Sequence, residues 1–183
     1  MEGEMHFFPK LEQKEITRYE HRVDFNQARF GEEEIDPKII ENWTKGRRCG
    51  WLPRAINDWW HDICKENKFK ANERRKFDKS HDCLLELGKN AFEYSGGGEI
   101  KVIFEPKKII ITVSDNGSGF DDNPNSIMVE HHGLYFVNKY ADELIIETNG
   151  KKYSKVRGSA SLLEISETDI MNGSKITFIK NFE

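Results

Sequence analysis

The stretch from about Asn72 to Ser114 leaves the chain little freedom of folding. Leu84, Leu87, Ala91 and Tyr94 recur at i, i+3, i+7 and i+10, the spacing of a buried helical stripe. Gly96-Gly97-Gly98 ends that helix, because three glycines hold a helical turn only at a high entropic cost. Glu99–Glu105 then alternates Ile100, Val102 and Phe104 against Lys101, Ile103 and Glu105. After a turn at Pro106-Lys107, Lys108–Ser114 puts Ile109, Ile111 and Val113 on one face. The pair reads as an antiparallel hairpin. A helix and a hairpin that must each bury one side predict a helix lying on a sheet.

The rest of the C-terminal half fits the same plan. Gly133–Ala141 is predicted as a helix with Leu134, Val137 and Tyr140 or Ala141 inward. Glu143–Thr148 reads as a strand, and Asn149-Gly150 is a strong hairpin turn. Further strands are expected in Lys152–Val156, Ser159–Ile165 and Ser174–Lys180. The expected class is α/β: a two-layer sandwich whose mixed sheet is covered on one face by helices.

Before residue 80 the chain is rich in charge and Trp. Glu15–Phe25 is a strand candidate through Ile16, Tyr19 and Val23. Asp36-Pro37 combines an N-cap with a first-turn proline, and Ile39, Ile40 and Trp43 continue a short amphipathic helix, which Gly50 closes. Pro53 opens a second helix with Ile56, Trp59, Trp60 and Ile63 or Cys64 inward. These features suggest a partly helical N-terminal extension over residues 1–75 and a second domain over 76–183.

Composition narrows the function classes. A net charge of −4 argues against nucleic-acid binding, which usually needs a basic surface. No apolar run is long enough for a membrane span, and the short apolar patch at Met5–Pro9 does not make a signal peptide. Cys49, Cys64 and Cys83 have no CxxC spacing, so free thiols in a reducing cytoplasm are expected.

Asp115-Asn116-Gly117-Ser118-Gly119-Phe120 follows directly on a predicted strand. Upstream stands Glu86-Leu87-Gly88-Lys89-Asn90-Ala91, and downstream His132-Gly133-Leu134-Tyr135 opens a predicted helix. Asn172-Gly173-Ser174-Lys175-Ile176-Thr177 starts the last strand. In this order the four segments resemble the N-box, the two glycine boxes and the final Gly-Thr segment of histidine-kinase-like (GHKL) ATPases. The likeness covers about Lys79 to Lys180 and leans towards histidine-kinase catalytic domains and anti-sigma-factor serine kinases. It implies a Bergerat-type ATP-binding fold, ATP and Mg²⁺ as cofactors, a protein partner and room for a homodimer.

The resemblance assigns roles by position. Asn90 would hold Mg²⁺, a task suited to a hard, neutral carboxamide oxygen. Glu86, four residues earlier on the same helix face, would orient or deprotonate an attacking water or hydroxyl. Asp115 would accept a hydrogen bond from the adenine amine, while Gly117 and Gly119 let the backbone approach base and sugar. Phe120, His132, Gly133, Leu134 and Ser174 complete the nucleotide-binding set, with Gly133 presenting backbone N–H groups to phosphates. Asp121–His132 would be a polar lid.

Three departures favour a second reading. His131-His132-Gly133 replaces the usual Gly-x-Gly, Glu93 stands where many kinases carry a basic or His residue, and the lid has no Lys or Arg. A nucleotide-binding module that sequesters a partner protein, as anti-sigma factors do, needs less of the catalytic set. His61 and His81 each precede an aspartate but lack a phosphoacceptor's surroundings, and read as surface or packing histidines.

Overall fold

The computed structural model describes residues 18–26, 29–34, 51–120, 125, 133–155, 161–170 and 172–182. The predicted Asp36-Pro37 helix, Gly50, Cys49, His131 and His132 lie outside them. In chain order the elements are β1 (Tyr19–Asn26), β2 (Arg29–Phe30), β3 (Glu33–Glu34), α1 (Trp51–Glu66) and α2 (Ala71–Ser95). After them come β4 (Gly97–Glu105), β5 (Lys108–Asp115), α3 (Gly133–Tyr140), β6 (Glu143–Thr148), β7 (Lys151–Lys155), β8 (Leu162–Glu167) and β9 (Ser174–Asn181).

The helix–glycine–hairpin unit forms as its pattern requires. Glu73 Oε2 accepts the Lys70 N–H at 2.6 Å, satisfying one of the free donors at the start of α2. Gly96 ends the helix in the left-handed region at φ 77°, donating its N–H to the Phe92 carbonyl at 2.9 Å. β4 follows at once and turns back into β5.

The strands form one sheet in the order β3-β2-β1-β4-β5-β9-β6-β7-β8. Every pairing is antiparallel, which corrects the expected mixed sheet. The physical reason is where β9 goes. The connection through α3 makes β5 and β6 run the same way, but β9 inserts between them and pairs antiparallel with both. No parallel ladder can then form.

Cross-strand partners show which face carries the core. Val102, Ile111, Phe178 and Leu144 make one row across four strands, all fully buried. Ile100, Val113, Ile176 and Ile146 make the next, and are likewise buried. Each such side chain contributes about 1.5–3 kcal/mol of burial. On the helix side Leu84, Leu87, Ala91 and Phe92 of α2 join Leu52, Ile56, Ile63 and Cys64 of α1 in the same cluster. Tyr94, placed in the stripe by its spacing, is exposed, because it lies in the last turn before the glycine stop. Ile103, predicted outward, is buried on the opposite face in a row with Ile110 and Ile179.

The described residues before 75 share this architecture. β1 pairs along its whole length with β4, and Val23 and Phe25 enter the same core. α1 begins at Trp51, two residues before the proline that marks it. Among the described residues no helix is long and apolar enough to cross a membrane.

Candidate functional site

Two residues beyond the Ile100–Val113–Ile176–Ile146 row, the covered face changes character. The next row is Asp115, Ser174 and Thr148, on adjacent strands β5, β9 and β6. Asp115 Oδ1 accepts the Gly117 N–H at 2.9 Å, and Oδ2 accepts from the Ser174 hydroxyl. Each carboxylate oxygen can take more than one donor, so Asp115 is oriented by its own chain yet still able to accept from a ligand.

The segment after Asp115 is held tightly. A Cβ at Gly117 would stand 2.6 Å from Ser95 Cβ, at the end of α2. Gly119 has φ 75°, and a Cβ there would lie 2.5 Å from both Thr148 Oγ1 and Asn149 Oδ1. Only glycine fits, on backbone and on space. The Phe120 N–H donates to Thr148 Oγ1 at 3.0 Å, and its carbonyl accepts from Asn149 Nδ2 at 2.7 Å. The Thr148 hydroxyl in turn donates to the Gly173 carbonyl at 3.1 Å. The β6–β7 turn thus grips both backbone groups of Phe120. Sequence reasoning missed Thr148 and Asn149 as site residues, since Asn149-Gly150 signalled only a turn.

The helices supply the other side. Glu86 is half-buried and packs on Gly133, the first residue of α3, where a Cβ would fall 1.7 Å from Glu86 Oε1 and 2.2 Å from Cδ. Lys89 Nζ stands 3.8 Å from the same Oε1. Asn90 is half-buried one turn further along α2. At about 1.5 Å per residue, Ser95 lies about 13 Å beyond Glu86 along the axis. α2 therefore spans from the start of α3 to the Gly117 segment, with Asn90 between. The helix face that carries Glu86 is covered there, because α3 packs against α2.

α3 is fixed by Leu134 and Val137, both buried. Lys155 Nζ donates to the Asn138 and Ala141 carbonyls, each at 2.5 Å, at the opposite end of the helix from Gly133. Burial pulls the Lys155 ammonium below the usual lysine range; Asp142 opposes this and Lys180 adds to it. His132 lies outside the described residues, as does most of the predicted lid. Its described residue, Asn125, donates to the Leu162 carbonyl at 2.8 Å and accepts the Leu162 N–H at 2.7 Å, tying that point to β8.

The structure thus joins Asp115, Gly117 and Ser174 by hydrogen bonds, places Gly119 and Phe120 beside them against Thr148 and Asn149, and packs Glu86 against Gly133. A cavity of about 350 Å³ opens near the end of α2, lined by Ser95, Gly97, Glu99, Ser114 and Asn116 among others, but not by Asp115, Asn90 or Glu86. His61 is exposed, and His81 stacks on Trp60 with ring centroids 5.0 Å apart. Both keep the packing and surface roles expected of them. Cys83 is fully buried and its thiol is pushed up to about 12 by burial, with Asp82 adding to the effect.

No protein-family model matches the chain, and no curated protein matches it. The likeness to GHKL ATPases rests on the motifs and their order.

Proposed function

We propose that the chain binds an adenine nucleotide with Mg²⁺ in the manner of GHKL ATPases and serves as a kinase or ATPase acting on or through a partner protein. The observation that carries this reading is the Asp115–Ser174–Thr148 row. An otherwise apolar sheet face ends in an oriented carboxylate, beside two glycine approaches and the helix that carries Asn90 and Glu86. A half-buried acceptor set against close-approaching backbone suits a flat base with an exocyclic amine.

In this reading the covered face and its helices form a Bergerat-type two-layer sandwich, with β9 filling the place where a mixed sheet would have its parallel pair. Asp115 accepts from the base amine while Gly117 and Gly119 leave room for base and sugar. Asn90 would hold Mg²⁺ through its carboxamide oxygen, the ion would supply charge neutralisation at the phosphates, and Glu86 would take the proton of the attacking hydroxyl.

A second reading, partner sequestration by a nucleotide-binding module, gains from Glu86. Its carboxylate is engaged with Gly133 and Lys89, a seat that suits a positioned residue better than an idle base. Calorimetric titration with a non-hydrolysable ATP analogue, with Mg²⁺ and then with EDTA, tests the shared nucleotide site. Binding is expected, and Asn90→Ala should weaken it about tenfold in Mg²⁺, equal to about 1.4 kcal/mol, with little change in EDTA. A wild type that binds no nucleotide under either condition refutes both readings.

A further inference from the structure

We propose that the cavity at the end of α2 binds a small aliphatic amine of the polyamine class, held by Asp24 and Glu99. This site is independent of the nucleotide reading above. Strand register builds its wall. Val23, Ile100 and Val113 are buried in the core, so their neighbours Asp24, Glu99 and Ser114 face the side of the sheet away from the helices. Asp24 pairs with Glu99 across β1 and β4, and Glu99 with Ser114 across β4 and β5, which sets the three in one row. Ser95 and Asn116 close the end of the cavity, whose volume of about 350 Å³ is that of a small-molecule site. The glycines after α2 keep it open. A Cβ at Gly97 would stand 2.2 Å from the Phe25 carbonyl oxygen, and one at Gly98 2.0 Å from that of Ser114. Neither position can carry a side chain, so β4 begins bare where it lines the cavity.

The charges in the row select the ligand. Two carboxylates directly opposite each other on adjacent strands repel. Arg22 answers this only in part, since its guanidinium is bound to Glu20 at 2.9 Å and stands 3.9 Å from Glu99. Among the described residues Asp24 has no cationic partner, and no Lys or Arg lines the cavity. An ammonium group between Asp24 and Glu99 removes the repulsion and donates a charge-assisted hydrogen bond to each. Farther along, Ser114, Asn116 and Ser95 offer neutral oxygens to a second donor on the same molecule. The Ser95 hydroxyl already donates to the Ala91 carbonyl, which leaves its oxygen to accept. A metal ion suits the lining less well. Among the described residues no three His, Cys, Asp or Glu side chains gather as a metal site, and the space is far larger than one ion.

Calorimetric titration with spermidine tests the site in the wild type, Asp24→Asn, Glu99→Gln, Ser114→Leu and Asp58→Asn. Asp58 is exposed on α1, away from the cavity, and serves as the charge-matched control. The wild type should bind one spermidine. Asp24→Asn and Glu99→Gln should each bind it about fivefold more weakly, the effect of losing one good exposed ion pair. Their thermal midpoints should hold or rise slightly, because each substitution removes a repulsion. Ser114→Leu keeps both charges but fills the space, so it should stay folded and bind far more weakly. Asp58→Asn should bind as the wild type does. A wild type without saturable binding overturns the site, as do Asp24→Asn and Glu99→Gln proteins that bind as tightly as the wild type. Equal weakening in Asp58→Asn overturns it too, because the attraction would then be that of the chain's net charge of −4. A folded Ser114→Leu protein that binds spermidine unchanged would remove the amine from the cavity and overturn the proposal.

Discussion

The two ends of α2 meet very different surroundings. Near its start, Phe77 packs on Phe69 at 5.3 Å and on Phe104 and Phe182 at 5.1 Å each, measured between ring centroids. Trp60 closes on Phe104 from α1 at 5.6 Å. At its other end the helix meets Gly133 through Glu86 and Gly117 through Ser95. The sheet below repeats the contrast, with Phe104 and Ile109 paired at one end and Asp115 and Ser174 at the other. Aromatic area holds the first end together. The second rests on hydrogen bonds that each contribute only about 1 kcal/mol net. Such a division lets one end supply stability while the other keeps oriented, half-buried polar groups available.

If that division is real, substitutions at the two ends should separate stability from binding. The largest effect belongs to Phe104, which is 1% exposed and touches Phe69, Phe77 and Trp60. Phe104→Ala should cost about 3–5 kcal/mol in chemical denaturation, the range for emptying an aromatic core site. The fraction that stays folded should bind nucleotide as before. A loss below about 1 kcal/mol would show that the aromatic end does not carry the fold.

Asp115→Asn should do the reverse. The amide keeps one acceptor, and the Ser174 hydroxyl can reverse its role to accept, so the thermal midpoint should move little. Adenine-nucleotide affinity should fall by about 1–3 kcal/mol, because an amide nitrogen would then face the base amine, donor against donor. Unchanged affinity in a folded variant would remove Asp115 from the site.

The contrast also explains what the sequence made legible. Periodicity reports burial, so α2, β4, β5, α3 and β6 could be read from their apolar spacing almost to the residue. Asp115, Gly117 and Gly119 were legible because a strand end followed by two glycines is a local pattern. Strand pairing is not local. Nothing in Ser174–Asn181 says that it inserts between β5 and β6, and that insertion is what turned a mixed sheet into an antiparallel one. For the same reason β1 looked like part of an extension until its pairing with β4 placed it in the sheet. Thr148 and Asn149 were hidden because a hairpin turn reads the same whether or not its side chains hold a loop from elsewhere. The contact of Glu86 with Gly133 joins residues 47 apart and leaves no trace in spacing.

The smallest effect tests the aromatic end through a half-buried histidine. His81 stacks on Trp60, its buried Nε2 has no partner among the described residues, and its pKa is lowered from 6.5. Desolvation is the main cause; Asp82 and Asp78 pull the other way and are outweighed. Well above about pH 6.5 the ring is neutral in both folded and unfolded chains and contributes no pH dependence. Below that value the unfolded chain takes up a proton that the folded chain still refuses, so stability must fall with pH until the lowered folded value is passed. Burial raises Asp142 and Glu147, yet both end up lowered, because the hydrogen bonds from Lys180 and the Asn181 N–H to Asp142 and from Lys175 and Thr168 to Glu147, together with nearby lysine charges, outweigh it. Their contribution is lost only in the more acidic carboxylate range, so the interval from pH 7 to about 5 isolates histidine. His81→Phe keeps a flat ring against Trp60 and removes the proton. The wild type should lose more of its thermal midpoint over that interval than His81→Phe does, while nucleotide affinity at pH 7 stays the same in both. Parallel midpoint curves would mean that the folded chain protonates His81 as readily as the unfolded one. A changed affinity at pH 7 would mean that the two ends of α2 are coupled, and the division of labour drawn from them would have to be abandoned.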